Sequence, residues 1–295
     1  AVFGTVISSS QKGEDGRQRL YNAAVVASDG KIVAWTHKTL QPNYRFFNDS
    51  KHLYSRRATA EERSEFSRLK GSRITPDVSL RDYLKPIRIE TKKACFNLGV
   101  ILCEDMWHED YAFNPAKILV EQGAELIINL SASPWTWRKN EKRHRVVKEL
   151  LSACRVPLVY VNNTGAQNTG KNILVFDGSS AVYDDNGDVM YEVASYAQGP
   201  YDFRFSDNRD GMPHQSTSDT GELYAALRSA TKYMLELLPP LKRKIVIGVS
   251  GGVDSATSLA HFVDVAGREN VIAVNMPFLY SDLRIQSLAE RVAQN

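Results

Sequence analysis

The stretch Asn97–Asp110, NLGVILCEDMWHED, limits what this chain can fold into more than any other. Leu98 to Leu102 is an apolar run that stops at Cys103, with Glu104 and Asp105 directly behind it. A short apolar run bounded by glycine and charge reads as a buried strand. A cysteine at the end of such a strand can sit on a sharp turn where a site opens. Its thiol becomes a good nucleophile when a positive neighbour favours the thiolate. A core cysteine beside two solvated acids is the competing reading, and the rest of the chain decides between them.

At 295 residues there is room for two domains. A formal net charge of +3 gives no reason to expect nucleic acid or an anionic membrane as partner. No apolar run approaches the roughly 20 residues of a membrane span, and the N-terminus has no signal-peptide pattern. Three cysteines make no disulfide framework, so a reducing cytoplasm is the simplest home. The chain opens on strand-like residues, Ala1 to Ile7, without an initiator methionine, and stops at Asn295 just past a helix-like segment. It is expected to be either a fragment or a chain of ordered residues only, with Ser8-Ser9-Ser10-Gln11 as a suspect seam.

Ala23–Ala27, Asp29-Gly30 and Lys31–Trp35 read as a β-hairpin, because Asp-Gly suits the tight turn. Pro42 and Asn43 then force a loop, which leaves Lys38 at a strand-to-loop edge; a plain surface lysine is the alternative. Residues 58–70 suggest an exposed helix. Residues 85–90 and 93–102 suggest paired strands, and residues 115–122 a helix stopped by Gly123. Residues 125–130 read as a buried strand running into the polar loop Ser131–Trp135, and residues 138–154 as a basic helix. A buried strand over 156–162 runs into residues 163–167, and short antiparallel strands come next over 172–176, 179–183 and 189–193, with Asp177-Gly178 and Asn186-Gly187 as tight turns. The fold class is therefore α/β, with a layered first domain over residues 1–205, a polar linker over 206–221 and a second domain over 222–295. In the second, helix 222–238, strand 245–249, a glycine-rich loop, a helix to about 265 and strand 271–276 make a βαβ unit, and a further helix lies near 283–292.

The loop is Gly248-Val249-Ser250-Gly251-Gly252-Val253-Asp254-Ser255. Glycines let the backbone come close to an anion, and the helix start and two serines can hold phosphate oxygens. It is neither a Walker A loop nor a dinucleotide fingerprint. It resembles the pyrophosphate loop of the N-type ATP-pyrophosphatase superfamily, which implies ATP as substrate, with Asp254 as the Mg²⁺-associated carboxylate.

The first domain resembles the nitrilase superfamily, an α-β-β-α sandwich with a Glu, Lys and Cys catalytic set. Lys38, in Lys-x-x-x-Pro-Asn-Tyr, matches its lysine, and Cys103 matches its nucleophile. Glu14 is the only glutamate before Lys38 and its setting is turn-like, so the catalytic glutamate is expected to precede Ala1. The two domains together resemble the glutamine-dependent NAD⁺ synthetase family. That resemblance implies glutamine, ATP and deamido-NAD (nicotinic acid adenine dinucleotide) as substrates, with Tyr44, Glu104, Ser133 and Lys139 around the glutamine. Arg138 competes with Lys139, because Trp135-Thr136-Trp137-Arg138 is bulkier than the family's usual stretch. Residues 167–172 also depart from the family pattern. The second domain starts as a doubly wound parallel sheet; its deamido-NAD contacts are expected beyond Asn295, and Pro277–Ser281 is expected to border the ATP site. A homo-oligomer is expected.

Cys95 and Cys154 read as structural, and the histidines show no metal-ligand spacing. A metal cluster at Glu104, Asp105, His108, Glu109 and Asp110 is disfavoured, because these residues flank the nucleophile. The basic stretch 138–145 reads as a solvated helix face. Three other functions stay open: an amidase or nitrilase with a degenerate ATP loop, an ATP-pyrophosphatase amidotransferase making a different amide, and a non-catalytic interaction protein.

Overall fold

The computed structural model describes residues 1–12, 15–45, 47–51, 53–55, 76–91, 94–205, 219–277 and 283–294. Glu14, the helix read over 58–70, most of the linker and residues 278–281 fall outside them.

The chain divides into two compact units, residues 1–163 with 178–215, and residues 164–177 with 216–295. The first opens on a three-stranded antiparallel sheet of β1 (Val2–Lys12), β2 (Gln18–Ser28) and β3 (Lys31–His37). The β2–β3 turn is the expected Asp29-Gly30, with φ of 49° and 74°, values that suit a tight hairpin. β1 runs straight through Ser8–Gln11, with its register against β2 shifting between Ser8 and Lys12.

Helix α1 (Pro76–Tyr83) leads into a second sheet. Its members are β4 (Ile87–Glu90), β5 (Cys95–Leu102), β6 (Leu126–Ser131) and β7 (Leu158–Asn162), with helix α2 (Pro115–Glu121) after β5 and helix α3 (Lys139–Cys154) after β6. β5, β6 and β7 are parallel and β4 is antiparallel to β5. α2 starts where Asn114 caps it, its Oδ1 accepting the Lys117 N–H at 3.0 Å, and it ends before Gly123, at φ 93°.

β5 shows why the apolar run was continuous. Leu98, Val100 and Leu102 pack with Ala24 and Val26 of the three-stranded sheet, while Ile101 packs with the helices. Both faces are covered, as a parallel strand requires. Gly99 lies on the helix side, where a Cβ would sit 2.4 Å from Ile127 Cδ1. Ile118, Leu119, Val146, Val147, Leu150 and Leu151 supply the helical layer of that core.

The stretch after β7 differs from the sequence expectation. Residues 164–168, to which the sequence assigns no element of their own, form β8 (Thr164–Asn168), which pairs antiparallel with β9 (Ile173–Asp177) in a separate two-stranded sheet. Asp177-Gly178 therefore does not close a hairpin: it carries the chain from that sheet to β10 (Ala181–Tyr183), which rejoins the large sheet beside β7 and pairs with β11 (Val189–Glu192). Polar, weakly patterned β8 gave no periodic signal to read.

The β8–β9 hairpin belongs to the second unit, where the Asn168 N–H donates to Tyr233 Oη, 3.2 Å away, on helix α4 (Asp219–Glu236). Strands β12 (Ile245–Gly248) and β13 (Val271–Val274) are parallel and joined through helix α5 (Val253–Ala266), which is the expected βαβ unit. Helix α6 (Leu283–Gln294) adds Ala289 and Val292 to a small core with Val249, Leu259 and Val263. No helix among the described residues is long and apolar enough to cross a membrane.

Candidate active site at the end of strand β5

Cys103 stands on the sharp turn its sequence position suggested. Its φ is 44°, a left-handed conformation that a residue with a Cβ adopts only when its surroundings hold it there. Two buried side chains do so. The Cys103 N–H donates to Asn129 Oδ1 at 3.0 Å, and Asn129 comes from the neighbouring strand β6. Asp105 Oδ2 accepts the Leu102 N–H at 3.1 Å, just before the turn.

Asp105 Oδ1 also accepts the N–H groups of Thr39 and Leu40, at 3.0 and 2.7 Å. One buried carboxylate thus ties the cysteine turn to the segment carrying Lys38. Burial pushes its pKa up to about 6, opposed by these three N–H donors and by Lys38. Asp105 is an anchor between two backbone segments. The metal reading of this acidic run finds no support: among the described residues no three His, Cys, Asp or Glu side chains are grouped to hold an ion.

Lys38 is buried, not a surface lysine, and its Nζ pairs with Asp49 Oδ2 at 2.6 Å. Burial disfavours its charge, but Cys103, Asp49 and Asp105 together outweigh that and hold its pKa above the ordinary lysine value. Burial raises the Cys103 thiol pKa, while Lys38 and then Lys139 pull it down. The thiol is thus set between the penalty of its burial and the pull of two cationic neighbours. Sequence reasoning missed Asp49; it lies eleven residues from Lys38, in a one-turn 3₁₀ helix, and only the fold brings the two together.

A cavity of about 360 Å³ opens at this turn, lined by Tyr44, Cys103, Glu104, Ser133 and Lys139 among others. The sequence had nominated all five. Glu104 is 4% exposed, and it accepts the phenol hydrogen of Tyr44 at 3.0 Å and that of Tyr111 at 2.9 Å. Ser133 is held by Asn162, whose amide bonds both its N–H and its carbonyl, at 2.9 and 3.2 Å. Lys139 opens α3, donates to the Pro134 carbonyl at 3.0 Å and stacks its ammonium over Trp107. Arg138, also on the lining, is exposed and left-handed at φ 54°. The charge of Lys139 lowers the thiol pKa.

The basic helix is not wholly solvated. Arg143 is completely buried, with its guanidinium 4.7 Å from the centre of the Tyr160 ring. Cys154 is buried at the end of α3, and Cys95 is exposed at the start of β5.

The glycine-rich loop lies in the second unit. It leaves β12 at Gly248, turns at Gly251 with φ 87°, and enters α5 at Val253. Ser250 and Ser255 lie 3.2 Å apart, oxygen to oxygen. Ser255 also accepts the Ser250 N–H and donates to the Gly252 carbonyl. The two serines brace the loop while the helix start keeps N–H groups without intrahelical partners, the arrangement that receives phosphate.

Comparison with known proteins gives two family matches: carbon–nitrogen hydrolase over residues 2–199 and NAD synthase over residues 236–295. The glutamine-dependent NAD(+) synthetase of Synechocystis sp. is 30% identical over all of this chain and 49% of its own. The enzyme of the same name from Acinetobacter baylyi is 28% identical over 98% of this chain and 46% of its own. Among solved structures, glutamine-dependent NAD⁺ synthetase from Acinetobacter baumannii in complex with ADP superposes with a TM-score of 0.72 at 26% identity, over 99% of this chain and 48% of that one. The likeness carries the same mixed α/β fold. The chain spans about half the length of the curated relatives it matches.

Proposed function

The chain belongs to the carbon–nitrogen hydrolase family, and from that premise we propose that it is part of a glutamine-dependent NAD⁺ synthetase. In this reading residues 1–205 release ammonia from glutamine, residues 206–221 link, and residues 222–295 begin the domain that uses ATP to amidate deamido-NAD. The observation that carries it is the cavity at Cys103, where a nucleophile, an acid and a base share one lining. An amide group alone needs only the thiol and its oxyanion partner; an amino acid amide also needs its ammonium and carboxylate matched.

Glu104 is the acceptor for the ammonium, Lys139 the donor for the carboxylate, and Tyr44 and Ser133 fix the chain between them. Cys103 Sγ, once deprotonated, attacks the carboxamide carbon. The Lys38 ammonium stabilises the oxygen that gains negative charge. The C–N bond breaks, ammonia leaves with the proton it needs, and water hydrolyses the thioester to glutamate. Glu104 and Asp105 are committed to other donors, so neither is assigned as the base; that role stays with the glutamate of the family's catalytic set.

In the second domain, residues 248–255 hold ATP. The deamido-NAD carboxylate attacks the α-phosphorus and expels pyrophosphate; ammonia then displaces AMP from the adenylate. Asp254, an exposed carboxylate at the start of α5, is the residue that would hold Mg²⁺. The ion supplies charge neutralisation for the phosphates. A cytoplasmic homo-oligomer with small-molecule substrates fits this chemistry.

The test uses the full-length protein with ATP, Mg²⁺ and deamido-NAD, following NAD⁺ formation from glutamine and from ammonium. Cys103→Ala is expected to lose glutamine use and keep ammonium use. A wild type that makes no NAD⁺ from either nitrogen source overturns the synthetase reading. Turnover of another acid would then favour a different amidotransferase, and ATP-independent amide hydrolysis would favour an amidase.

A further inference from the structure

Glu104 poses a problem that its two phenols solve together. A carboxyl group this deeply buried loses its hydration, and hydrogen bonds have to replace the water it gives up. The Tyr44 hydroxyl lies 3.2 and 3.0 Å from the two carboxylate oxygens, and the Tyr111 hydroxyl lies 2.9 Å from Oε1. Burial and then the Glu104 charge hold both phenol pKa values above their ordinary range, so both stay donors at neutral pH.

The two tyrosines differ in placement. Tyr44 lines the cavity, where a substrate competes for it. Tyr111 comes directly after the one-turn 3₁₀ helix His108–Asp110, and its own N–H donates to the His108 carbonyl at 2.9 Å. It sits seven residues beyond Glu104, on the segment that leaves the cysteine turn, and touches no reacting atom. An ionised carboxylate offers about four acceptor sites, so two phenols leave room for an ammonium.

We propose that Tyr111 is a positioning residue that holds the Glu104 carboxylate aimed, and thereby sets a preference for α-amino acid amides over amides lacking the ammonium. The proposal rests on the glutamine reading of the cavity.

The experiment compares wild-type full-length protein with Tyr111→Phe, which keeps the ring and removes the donor. Ammonia release is measured from glutamine and from glutaramate, the same amide and carboxylate without the α-ammonium. For glutamine, KM is expected to rise roughly tenfold with kcat within about twofold, the pattern of lost uniform binding. Glutaramate turnover stays at its wild-type level, which also reports that the variant is folded. An equal loss on both substrates overturns the proposal, because Tyr111 then only supports the fold. An unchanged glutamine KM overturns it too. A wild type that does not prefer glutamine over glutaramate refutes the glutamine reading itself and takes this proposal with it.

Discussion

Cys103 and Gly251 both stand where a strand breaks into a helical turn, and both have positive φ, 44° and 87°. In the proposed function one carries the nucleophile, and the other carries no side chain. Around Cys103 the backbone is tied down from outside the turn: the Cys103 N–H to Asn129, the Leu102 N–H to Asp105, and through Asp105 to the Lys38 segment. Around Gly251 the bracing is local, two serines bonded to each other and to the loop itself, and most of the loop is exposed. The difference fits the task proposed for each turn. A thiol nucleophile has to be aimed and electrostatically tuned before the substrate arrives. A phosphate loop offers backbone N–H groups, and its glycine is there to let the ligand come close.

Substitutions at the two turns should therefore fail differently. The largest effect is expected from Lys38→Met, which removes the buried ammonium whose charge lowers the thiol pKa. Glutamine hydrolysis should fall by about 10²–10³-fold, with ammonium-driven NAD⁺ formation unchanged. Loss of both activities would mean the two regions are not separable. Gly251→Val puts a β-branched residue at φ 87°. It should raise the KM for ATP by roughly 10–100-fold and reduce NAD⁺ formation from either nitrogen source, while glutamine hydrolysis assayed alone is retained.

Asp105→Asn sharpens the comparison through stability. Oδ1 keeps the Thr39 and Leu40 donors, but an amide NH₂ then faces the Leu102 N–H, at a cost of about 1–3 kcal/mol in urea unfolding. The sign with pH is also defined. The folded carboxyl titrates at about 6 against an ordinary value of 3.8, so folding takes up a proton between them. The stability from this group is full below the lower value and is lost as pH rises through the upper one. Wild type should accordingly gain on Asp105→Asn between pH 7 and pH 5. The smallest effect is Arg138→Gly, which relieves a left-handed residue at φ 54° on the cavity rim and should stabilise by roughly 1 kcal/mol in the same assay. If glutamine KM also rises, the rim charge contributes to carboxylate binding beside Lys139.

What could be read from the sequence was whatever a contiguous segment carries. The β5 run and its abrupt end gave the cysteine turn, because burial on both faces leaves an unbroken apolar signature. Asp-Gly gave the β2–β3 hairpin, and the strand–glycine–helix order gave the βαβ unit. Four further cavity residues were nominated through family resemblance, and the fold brings them onto one lining with Cys103. Asp49, Asn129 and Tyr111 were missed because their roles depend on partners from separate segments or turns, and nothing local marks a polar residue as aimed at one. β8 was missed for a related reason: a polar strand on a two-stranded sheet has no alternation to show. Arg143 was read as solvated because charge outweighed its position on the inner face of α3.

The most direct test of Cys103 as the glutamine-directed nucleophile is where a glutamine analogue with an electrophilic diazoketone in place of the amide attaches to the full-length protein, read by intact mass and peptide mapping. One adduct per chain is expected, on Cys103, formed far more slowly in Lys38→Met and blocked by excess glutamine. An adduct on Cys95 or Cys154, or labelling of Cys103 that glutamine does not slow, would contradict that assignment.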